Sequence, residues 1–311
     1  MNIFKKIGRA IKHPDKIVLY LNEKGFHRFI SDKVYLKNAY KSMLGKKLTI
    51  KSPKTYNEKL QWLKLYDRNP LYTTLVDKYE VKNYIANRIG EEYIVPTLGV
   101  WDKFDDIDFD ALPNQFVLKC THDSGGLVIC KDKTNLDIDS ARQKIEKSLG
   151  RNYFWFGREW PYKNVPKRII AEQFLEDEET KKDGITDYKF FCFNGEPKFL
   201  YVSTGLENHK TAHISFLTLD WNFTSFQRSD FSPLETLPKK PTKFDEMVEI
   251  SRELSKDIPF LRVDLYQINN QIYFSELTFF PCSGFIPFVN PEDDETIGHM
   301  LVLPKEKTKN N

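Results

Sequence analysis

The sequence predicts an α+β fold in which several antiparallel hairpins pack against a few helices. Asn194-Gly195 and Asn269-Asn270 each separate two runs rich in apolar and aromatic residues, and such dipeptides favour tight hairpin turns. Apolar residues at helical spacing recur between these hairpins. Aromatic residues make up 14% of the 311 residues and apolar residues 40%, so the chain can form strands and bury a substantial core.

The first 90 residues have the pattern of helices that end at glycines or prolines. Thr55 and Glu58 have the spacing of a capping box, which predicts that a helix begins there. A second helix is expected over about residues 76–89, ending at Gly90. Within residues 3–11, apolar side chains recur at helical spacing between lysines. This pattern predicts a short amphipathic helix that docks on the body of the protein or contacts a membrane surface.

Most of the remaining chain reads as strands. Apolar runs bounded by turn residues mark them. The expected strands cover residues 94–95, 100–101, 116–120, 127–130, 169–175, 187–193, 197–204, 212–219, 260–267 and 271–277, and two further helices are expected at residues 139–149 and 243–256. A glycine-bearing turn at residues 122–126 joins two of these strands into a hairpin with a polar tip.

Positive charge is concentrated at the N-terminal end. Residues 1–54 contain 14 Lys and Arg against 3 Asp and Glu, a balance of about +11, whereas the whole chain carries only +3. Such a segment can contact anionic lipid or an acidic polymer, or it can be an ordinary solvated helical surface. Both interpretations stay open at this point, and no nucleic-acid partner is expected.

Membrane spans and secretion signals are not apparent in the sequence. No run of about 18 apolar residues occurs, and the basic N-terminus lacks the apolar segment of a signal peptide. Four cysteines, Cys120, Cys130, Cys192 and Cys282, lie far apart among apolar neighbours, which predicts buried thiols in a reducing compartment. We therefore expect a cytoplasmic protein, with peripheral contact to the inner membrane face as an open alternative.

One lysine lies where a phosphate group could be held. The sequence has neither a GxxxxGK[ST] loop nor a GxGxxG turn that opens a helix, so the common phosphate-binding loops are absent. Lys119 instead ends an apolar strand, and Gly125-Gly126 follows in the next turn. A lysine beside a flexible glycine hairpin can hold phosphates while the hairpin closes over them, although a lysine in this setting is more often simply solvated.

Two carboxylates are expected to face each other near the C-terminus. Arg262 and Asp264 lie in one apolar strand and Glu276 in the next, joined by a two-residue turn. This pairing could bring Asp264 and Glu276 together on one face, where they would repel each other unless a cation lay between them. Hard oxygen ligands of this kind indicate Mg²⁺. The alternative is a surface ion pair between Arg262 and Asp264 with an exposed Glu276.

The order of these motifs resembles that of the ATP-grasp superfamily, which includes D-alanine–D-alanine ligase. The resemblance covers about residues 74–290 and implies that nucleotide is held between two subdomains. It implies that Lys78, Lys119 and Lys189 contact the phosphates and that Arg262 steadies the reacting acyl group. Ser124, Gly125 and Gly126 would form the glycine-rich lid. Arg262, Lys119 and Lys189 are therefore the expected catalytic residues.

The same resemblance implies an adenine site and a metal site. Glu172 would take the adenine amino group, with the backbone of the following stretch, Gln173, Phe174 and Leu175, at the ring edge. Glu179 would contact the ribose. Asp264, Glu276 and Thr278 would hold Mg²⁺, although the family usually has Asn where this chain has Thr278, so the second metal position is expected to be weaker.

Four stretches resemble the TupA-like branch of this superfamily more closely. They are residues 56–62 (Tyr-Asn-Glu-Lys-Leu-Gln-Trp), 66–72, 158–160 (Arg-Glu-Trp) and 276–281. The branch is associated with bacterial teichuronopeptide, capsule and surface polysaccharide synthesis. The match implies a basic helical region at residues 1–73, a lid-bearing part at 74–165, a part with the adenine and metal sites at 166–303, and a loose tail at 304–311.

Several residues are candidates for contact with the other substrates. His122 could contact phosphate or act as a base, Arg158 could pair with an acidic sugar, and Trp160 and Tyr162 could stack on sugar rings. Backbone N–H groups of Ser283 and Gly284 could meet a carboxylate. Each has a purely structural alternative: a turn histidine, rings packed under a loop, or a simple turn.

The function expected from this resemblance is ATP-dependent joining of a carboxylate to an amine through an acyl phosphate. A uronic acid of a glycan and an amino acid are the expected substrate pair. Two enzymatic alternatives stay open: a kinase with the same ATP site, and a nucleotide-sugar glycosyltransferase that uses an Asp-x-Asp motif at residues 106–108, 108–110 or 137–139. A third alternative is a non-catalytic protein that binds an anionic polymer through its basic end.

Overall fold

The computed structural model describes residues 26–177, 185–204 and 213–305. The amphipathic helix expected within residues 3–11 and Glu179 lie outside these ranges. Helices and strands alternate irregularly along the described chain. The helices are α1 (Asp32–Leu44), α2 (Tyr56–Tyr66), α3 (Leu71–Val76), α4 (Glu80–Ile89), α5 (Ile138–Leu149), α6 (Phe154–Gly157), α7 (Phe244–Ser255) and α8 (Pro291–Met300). The strands are β1 (Thr97–Trp101), β2 (Phe116–Cys120), β3 (Leu127–Cys130), β4 (Ile169–Gln173), β5 (Asp187–Phe193), β6 (Glu196–Thr204), β7 (His213–Thr218), β8 (Phe260–Ile268) and β9 (Gln271–Thr278).

The strands form two antiparallel sheets. The first sheet has the order β1-β4-β2-β3 and the second the order β7-β6-β5-β8-β9. The α+β class expected from the sequence is confirmed. Because β4 pairs with both β1 and β2, the first sheet extends across the boundary expected at residue 165, and the passage between the sheets falls after Gln173.

Both tight hairpins expected from the sequence are present in the second sheet. Asn194 and Gly195 have φ values of 52° and 86°, and Asn269 and Asn270 have values of 49° and 62°. Asparagine and glycine tolerate this left-handed conformation better than other residues, and paired positive φ values match the twist of the strands that they join. The second turn sets Asp264 directly opposite Glu276 in the β8–β9 pair.

The helical predictions near residues 55–89 are confirmed in part. Thr55 and Glu58 form the expected capping box at the start of α2. The helix expected over residues 76–89 begins later, at Glu80, because Asp77 separates it from α3, which ends at Val76. Oδ1 of Asp77 accepts hydrogen bonds from the N–H groups of Tyr79 and Glu80 at 2.9 and 3.2 Å, and so caps the start of α4. The strand expected at residues 94–95 is also absent, since β1 begins at Thr97.

Two apolar cores hold the sheets and helices together. The larger core lies on both faces of the second sheet: Phe190 packs on Phe244 of α7, and Phe191 on the opposite face packs on Phe260, which contacts Tyr56 of α2. The smaller core packs the first sheet against Ile145 and Ala141 of α5. Three of the cysteines, Cys120, Cys130 and Cys192, are buried as expected, whereas the prediction was wrong for Cys282, which is exposed.

Candidate functional site

A cavity of about 200 Å³, here called the lysine cavity, lies between the two sheets. Lys78, Lys82 and Lys119 line it from the first sheet and the α4 region, and Lys189 lines it from the second sheet. Its apolar wall is formed by the side chains of Ile94, Val95, Leu127, Tyr266 and Phe274. The cavity therefore combines several cations with an apolar slot, which is the combination that a nucleotide requires.

The carboxylate of Glu172 lies between two lysines of this cavity. Its carboxylate oxygens lie 2.6 Å from Nζ of Lys82 and 2.6 Å from Nζ of Lys119. Burial opposes ionisation of this side chain, but the two ammonium groups outweigh burial and lower the pKa of Glu172. Lys82 also donates hydrogen bonds to Val95 O at 2.8 Å and Thr97 Oγ1 at 2.7 Å. Lys82 was not among the residues predicted from the sequence, although it follows Lys78 by one helical turn.

The three residues after Glu172 lie beyond the lysine cavity. Gln173, Phe174 and Leu175 are not among the described residues that line it. The N–H of Gln173 donates to Pro96 O at 3.0 Å, because β4 continues its pairing beyond Glu172, and this N–H is therefore not available to a ring edge. Of the stretch expected to meet adenine, Glu172 alone lines the cavity in the described structure.

The glycine-rich turn closes one end of the lysine cavity. Ser124, Gly125 and Gly126 all line it. Gly125 has φ of +101° and faces open space, whereas a Cβ at Gly126 would collide with the side chain of Ser148. Nζ of Lys78 donates to Asp123 O at 2.5 Å and so ties the turn to the α3–α4 junction. These contacts require glycine at Gly126 for space and at Gly125 for conformation.

His122 does not take part in the lysine cavity, although it precedes the glycine turn. The side chain is 2% exposed, and Nε2 donates to Ser148 O at 3.2 Å. Burial lowers the pKa of His122, which keeps the ring neutral. The expectation that His122 contacts substrate is therefore corrected: the turn directs this ring inward, against α5, while Ser124 and the glycines face the cavity.

Arg262 and Asp264 form a buried ion pair and not a surface pair. Asp264 is 0% exposed, and its oxygens accept from Nε and Nη2 of Arg262 at 2.7 and 2.6 Å and from Nζ of Lys189 at 2.6 Å. Burial raises the pKa of Asp264 to about 6 despite these cations. Nη2 of Arg262 also donates to Oε1 of Glu276 and Oγ1 of Thr278, both at 3.0 Å. Arg262 and Lys189 lower the pKa of Glu276 to about 2 against the effect of burial.

The donor chemistry around Glu276 fits a divalent cation. Three carboxylates, Asp187, Asp264 and Glu276, face two cations, Lys189 and Arg262. Oδ1 of Asp187 is buried without a hydrogen-bond partner among the described residues. The excess of negative charge and the unpaired oxygen favour a hard cation such as Mg²⁺. As the side chains stand, Arg262 and Lys189 lie between the carboxylates, and no three acidic, His or Cys side chains in the described ranges are placed so that together they could hold a metal ion.

A second cavity of about 410 Å³, here called the aromatic cavity, lies on the other side of Glu276. Its walls come from α1, the α6 region and the loop after β9. The residues that line it include Asn38, Ser42 and Met43 of α1, together with Tyr153, Phe156, Glu159, Tyr162, Arg262, Thr278, Phe280, Cys282, Ser283 and Phe285. Asp123, Ser124 and Glu276 line both cavities. The two spaces therefore meet where the glycine turn faces the carboxylate cluster.

Of the residues expected to bind substrate, Tyr162 and Ser283 line the aromatic cavity. Trp160 and Gly284 are not among the described residues that line either cavity. Gly284 packs against α2, where a Cβ would come within 2.9 Å of Cβ of Leu60. The N–H of Ser283 donates to Phe280 O at 2.8 Å, so it does not offer this group to a ligand. Tyr162 and the side chain of Ser283 therefore remain the candidate contacts.

Arg158 is also corrected, because it is a core residue. Its side chain is 1% exposed, with the guanidinium 4.6 and 4.5 Å from the ring centroids of Tyr35 and Trp155. Nε lies 3.6 Å from Oδ1 of Asp32 on α1. A guanidinium enclosed by two rings and a carboxylate stabilises the packing of α6 on α1, and an acidic sugar cannot reach it.

The Asp-x-Asp motifs have structural roles in the described chain. Oδ1 of Asp108 accepts from the N–H of Asp110 at 3.0 Å in a surface turn, and Asp137 caps α5 by accepting from the N–H of Ser140 at 2.9 Å. Neither motif lines either cavity. These contacts are typical of turns and helix caps and not of a metal site.

Comparison with known proteins gives one family and a group of structures. A family model described as TupA-like ATPgrasp matches residues 58–302. Similar structures include D-alanine–D-alanine ligase from Bacillus anthracis complexed with ATP, at 14% identity and TM-score 0.39 over 66% of this chain and 54% of that one. The ligase from Helicobacter pylori has 17% identity and TM-score 0.42 over 80% and 69%. A RimK domain ATP-grasp protein from Sphaerobacter thermophilus has 12% identity and TM-score 0.40 over 76% and 69%.

The overlap with these structures is incomplete. The chain spans 54% and 57% of the length of the first two ligase chains that it matches. No protein of curated function matches the sequence. In the described ranges, no helix is both long and apolar enough to cross a membrane.

Proposed function

The chain belongs to the TupA-like ATP-grasp family, and on this premise we propose that it is an ATP- and Mg²⁺-dependent ligase that joins a carboxylate to an amine through an acyl phosphate. One observation carries the proposal. The lysine cavity and the aromatic cavity meet at Asp123, Ser124 and Glu276. A nucleotide in the first would therefore present its terminal phosphate to a substrate in the second.

The residues of the lysine cavity have roles that follow from their charges. Lys78, Lys119 and Lys189 would neutralise the triphosphate, and Glu172 would accept from the adenine amino group. Asp264, Glu276 and Thr278 would hold Mg²⁺, which supplies further neutralisation of the phosphates when it is bound. Arg262 lines the aromatic cavity beside Glu276 and would stabilise the oxyanion that forms during acyl transfer. Glu179, expected at the ribose, lies outside the described residues.

The chemistry has two steps. In the first, an oxygen of the carboxylate substrate attacks the γ-phosphorus of ATP, the P–O bond to ADP breaks, and ADP leaves with the bonding electrons. In the second, a neutral amine nitrogen attacks the acyl carbon, the C–O bond to phosphate breaks, and the nitrogen loses a proton to give the amide. The protein contributes position and charge in both steps. Closure of the Gly125–Gly126 turn would exclude the water that hydrolyses an acyl phosphate.

For the carboxylate we propose a uronic acid of a bacterial surface polysaccharide or its precursor, and for the amine an amino acid or similar compound. The aromatic cavity supports this choice because Tyr153, Phe156 and Tyr162 offer ring faces on which a sugar can stack. The association of the family with polysaccharide synthesis supports it as well. Contact of the basic residues 1–54 with a membrane, and a cytoplasmic location at its inner face, remain part of the same proposal.

Thermal denaturation with nucleotides tests the proposed function. We expect ATP or ADP with Mg²⁺ to raise the melting temperature, because a ligand that binds only the folded state stabilises it by about 2.7 kcal/mol at 100 times its Kd. Glu276→Gln should reduce the stabilisation by Mg²⁺-nucleotide. Glu295→Gln, which changes an exposed carboxylate on α8, is the matched control and should behave as wild type.

The same samples separate the alternatives. Stabilisation by a UDP-sugar and not by ATP would replace the ligase by a glycosyltransferase. If Mg²⁺-ATP binds, phosphate release with uronic acids and amino acids follows as the second assay. ADP release with a phosphorylated product and no requirement for an amine would indicate a kinase. If Glu276→Gln is stabilised by Mg²⁺-nucleotide as strongly as wild type, the assigned metal site is contradicted.

A further inference from the structure

Glu159 is the one residue of the Arg158-Glu159-Trp160 motif that faces a cavity. Arg158 ends α6 in the left-handed conformation, with φ of 55°. This turn buries Arg158 against Tyr35 and leaves Glu159 among the residues that line the aromatic cavity. A non-glycine residue in this conformation costs roughly 1–2 kcal/mol. The cost indicates that the orientation of Glu159 is maintained by its surroundings.

Glu159 is 3% exposed, and its carboxylate is held by a side chain of the loop after β9. The hydroxyl of Ser283 donates to Oε1 of Glu159. Lys64 of α2 lies behind the pair, where its Nζ donates to Gly157 O and Ser283 O, both at 2.7 Å. Burial raises the pKa of Glu159, and Lys64, Ser283 and Arg262 oppose this effect whereas Glu276 adds to it.

The aromatic cavity has an excess of negative charge. Among the described residues that line it, Asp123, Glu159 and Glu276 carry carboxylates and Arg262 carries a guanidinium. Arg262 is already paired with Asp264 and Glu276. Asp123 is buried; its Oδ2 accepts from the hydroxyl of Ser148, and its Oδ1 has no hydrogen-bond partner in the part of the chain that the structure describes. A bound ligand that brings positive charge would offset this excess, whereas a second carboxylate beside Glu159 would be repelled.

An ammonium group matches these surroundings in its hydrogen-bond donors as well as in its charge. It has three N–H donors, and the carboxylates of Glu159 and Asp123 together with the Ser283 hydroxyl offer acceptors. The rings of Tyr153 and Tyr162, whose centroids lie 4.8 Å apart, line the same wall and present faces that attract a cation. The carboxylate substrate would then lie nearer Arg262, towards the lysine cavity.

We propose that Glu159, together with Asp123 and Ser283, forms the subsite that binds the amine substrate in its ammonium form, which loses one proton before the nitrogen attacks the acyl carbon. The proposal rests on the proposed function, since it assigns the part of the aromatic cavity beside Glu159 to the second substrate of the ligase. It replaces Arg158 and Trp160 by Glu159 as the residue of this motif that contacts substrate.

Cys282 provides a direct test, because it lines the aromatic cavity and is exposed while Cys120, Cys130 and Cys192 are buried. Rates of Cys282 modification are measured with a cationic and an anionic methanethiosulfonate of similar size. We expect the cationic reagent to react faster, and Glu159→Gln to reduce the ratio of the two rates by about fivefold or more, the size expected for the loss of one charge in the same cavity. Glu159→Asp should keep the ratio near that of wild type, and Cys282→Ala should abolish the reaction.

Protection experiments complete the test. Alanine, lysine and putrescine, each added with Mg²⁺-ADP, are compared as amine probes. Slower modification of Cys282 by at least one of them in wild type, and by none in Glu159→Gln, is the expected result. An unchanged rate ratio in Glu159→Gln, or a lack of protection by every amine, would overturn the subsite. Stabilisation of the wild-type protein by Mg²⁺-ATP is measured in parallel. Its absence would count against the proposed function, whereas the rate ratio tests the charge of the subsite independently of nucleotide binding.

Discussion

The lysine cavity and the aromatic cavity share three residues but differ in how they are built. The lysine cavity takes most of its charged residues from strands and the turns beside them, such as Lys119 near the end of β2 and Lys189 within β5. The aromatic cavity draws on α1, the α6 region and the loop after β9, segments that are more than 100 residues apart. Both cavities therefore join distant segments, but the charged residues of the first lie in short motifs that can be recognised along the sequence, whereas those of the second do not.

This difference explains which site could be read from the sequence. Lys78, Lys119, Lys189, Glu172 and Glu276 were all expected at one site, and all line the lysine cavity. The substrate residues were expected from residue type alone. His122, Arg158, Trp160 and Gly284 lie elsewhere, because whether a side chain at a turn points to a cavity or to the core depends on packing.

The largest effect is expected for Lys119→Ala, which removes one of the two cations at Glu172. We expect ATP turnover to fall about 100-fold or more, the usual loss when one preorganised charge is removed from a reacting group. The fold should persist, because Lys119 lies at a strand end and its side chain is 30% exposed. Steady-state ATP hydrolysis and the melting temperature are measured together.

Lys144→Ala is the matched control, since Lys144 is exposed on α5 and does not line either cavity. Equal turnover in the two variants would contradict the assignment of the lysine cavity to the phosphates. It would also mean that the sequence motifs predicted the lysine cavity no better than residue type predicted the aromatic cavity.

The TupA-like motif at residues 56–62 has a structural explanation that the sequence did not reveal. Asn57 and Gln61 of α2 are buried and hydrogen-bond the loop after β9, at Ile286 and at the carbonyls of Ser283 and Gly284. In that loop Cys282, Ser283 and Gly284 have φ values of 50°, 52° and 63°. Three consecutive left-handed residues are unfavourable unless other groups hold them. The helix was predicted correctly, but its polar face was not recognised as the support for a cavity wall.

Lys64, next on the same face of α2, gives an intermediate effect that depends on pH. Burial lowers the pKa of Lys64 from 10.5 to about 7, against the attraction of Glu159. Between these two values the unfolded chain binds more protons than the folded one, so the free energy of unfolding rises with pH. Relative to Lys64→Met, wild type should gain about 1 kcal/mol per pH unit in this window. Urea denaturation at pH 7, 8 and 9 measures the difference.

Lys54→Met provides the comparison, because Lys54 is exposed just before α2. Its difference from wild type should not change over the same pH range. A slope of zero for Lys64→Met would mean that the ammonium group is not desolvated behind Glu159, and the support of the aromatic cavity by α2 would then need another explanation.

The smallest effect on turnover is expected for His122→Ala. His122 precedes the glycine turn in sequence but packs against α5, so its removal should leave the KM for ATP within about twofold of wild type. The fold should lose about 1–3 kcal/mol of stability, because the hydrogen bond to Ser148 is lost and a space is left behind. ATP hydrolysis and urea denaturation measure the two effects separately. A large rise in KM with unchanged stability would place His122 at the phosphates after all, because a side chain that only fills the core cannot change nucleotide binding without changing the stability of the fold. On this reasoning the boundary of the lysine cavity lies between His122 and Asp123: both side chains hydrogen-bond Ser148 of α5, but only Asp123 of the two also lines the cavities.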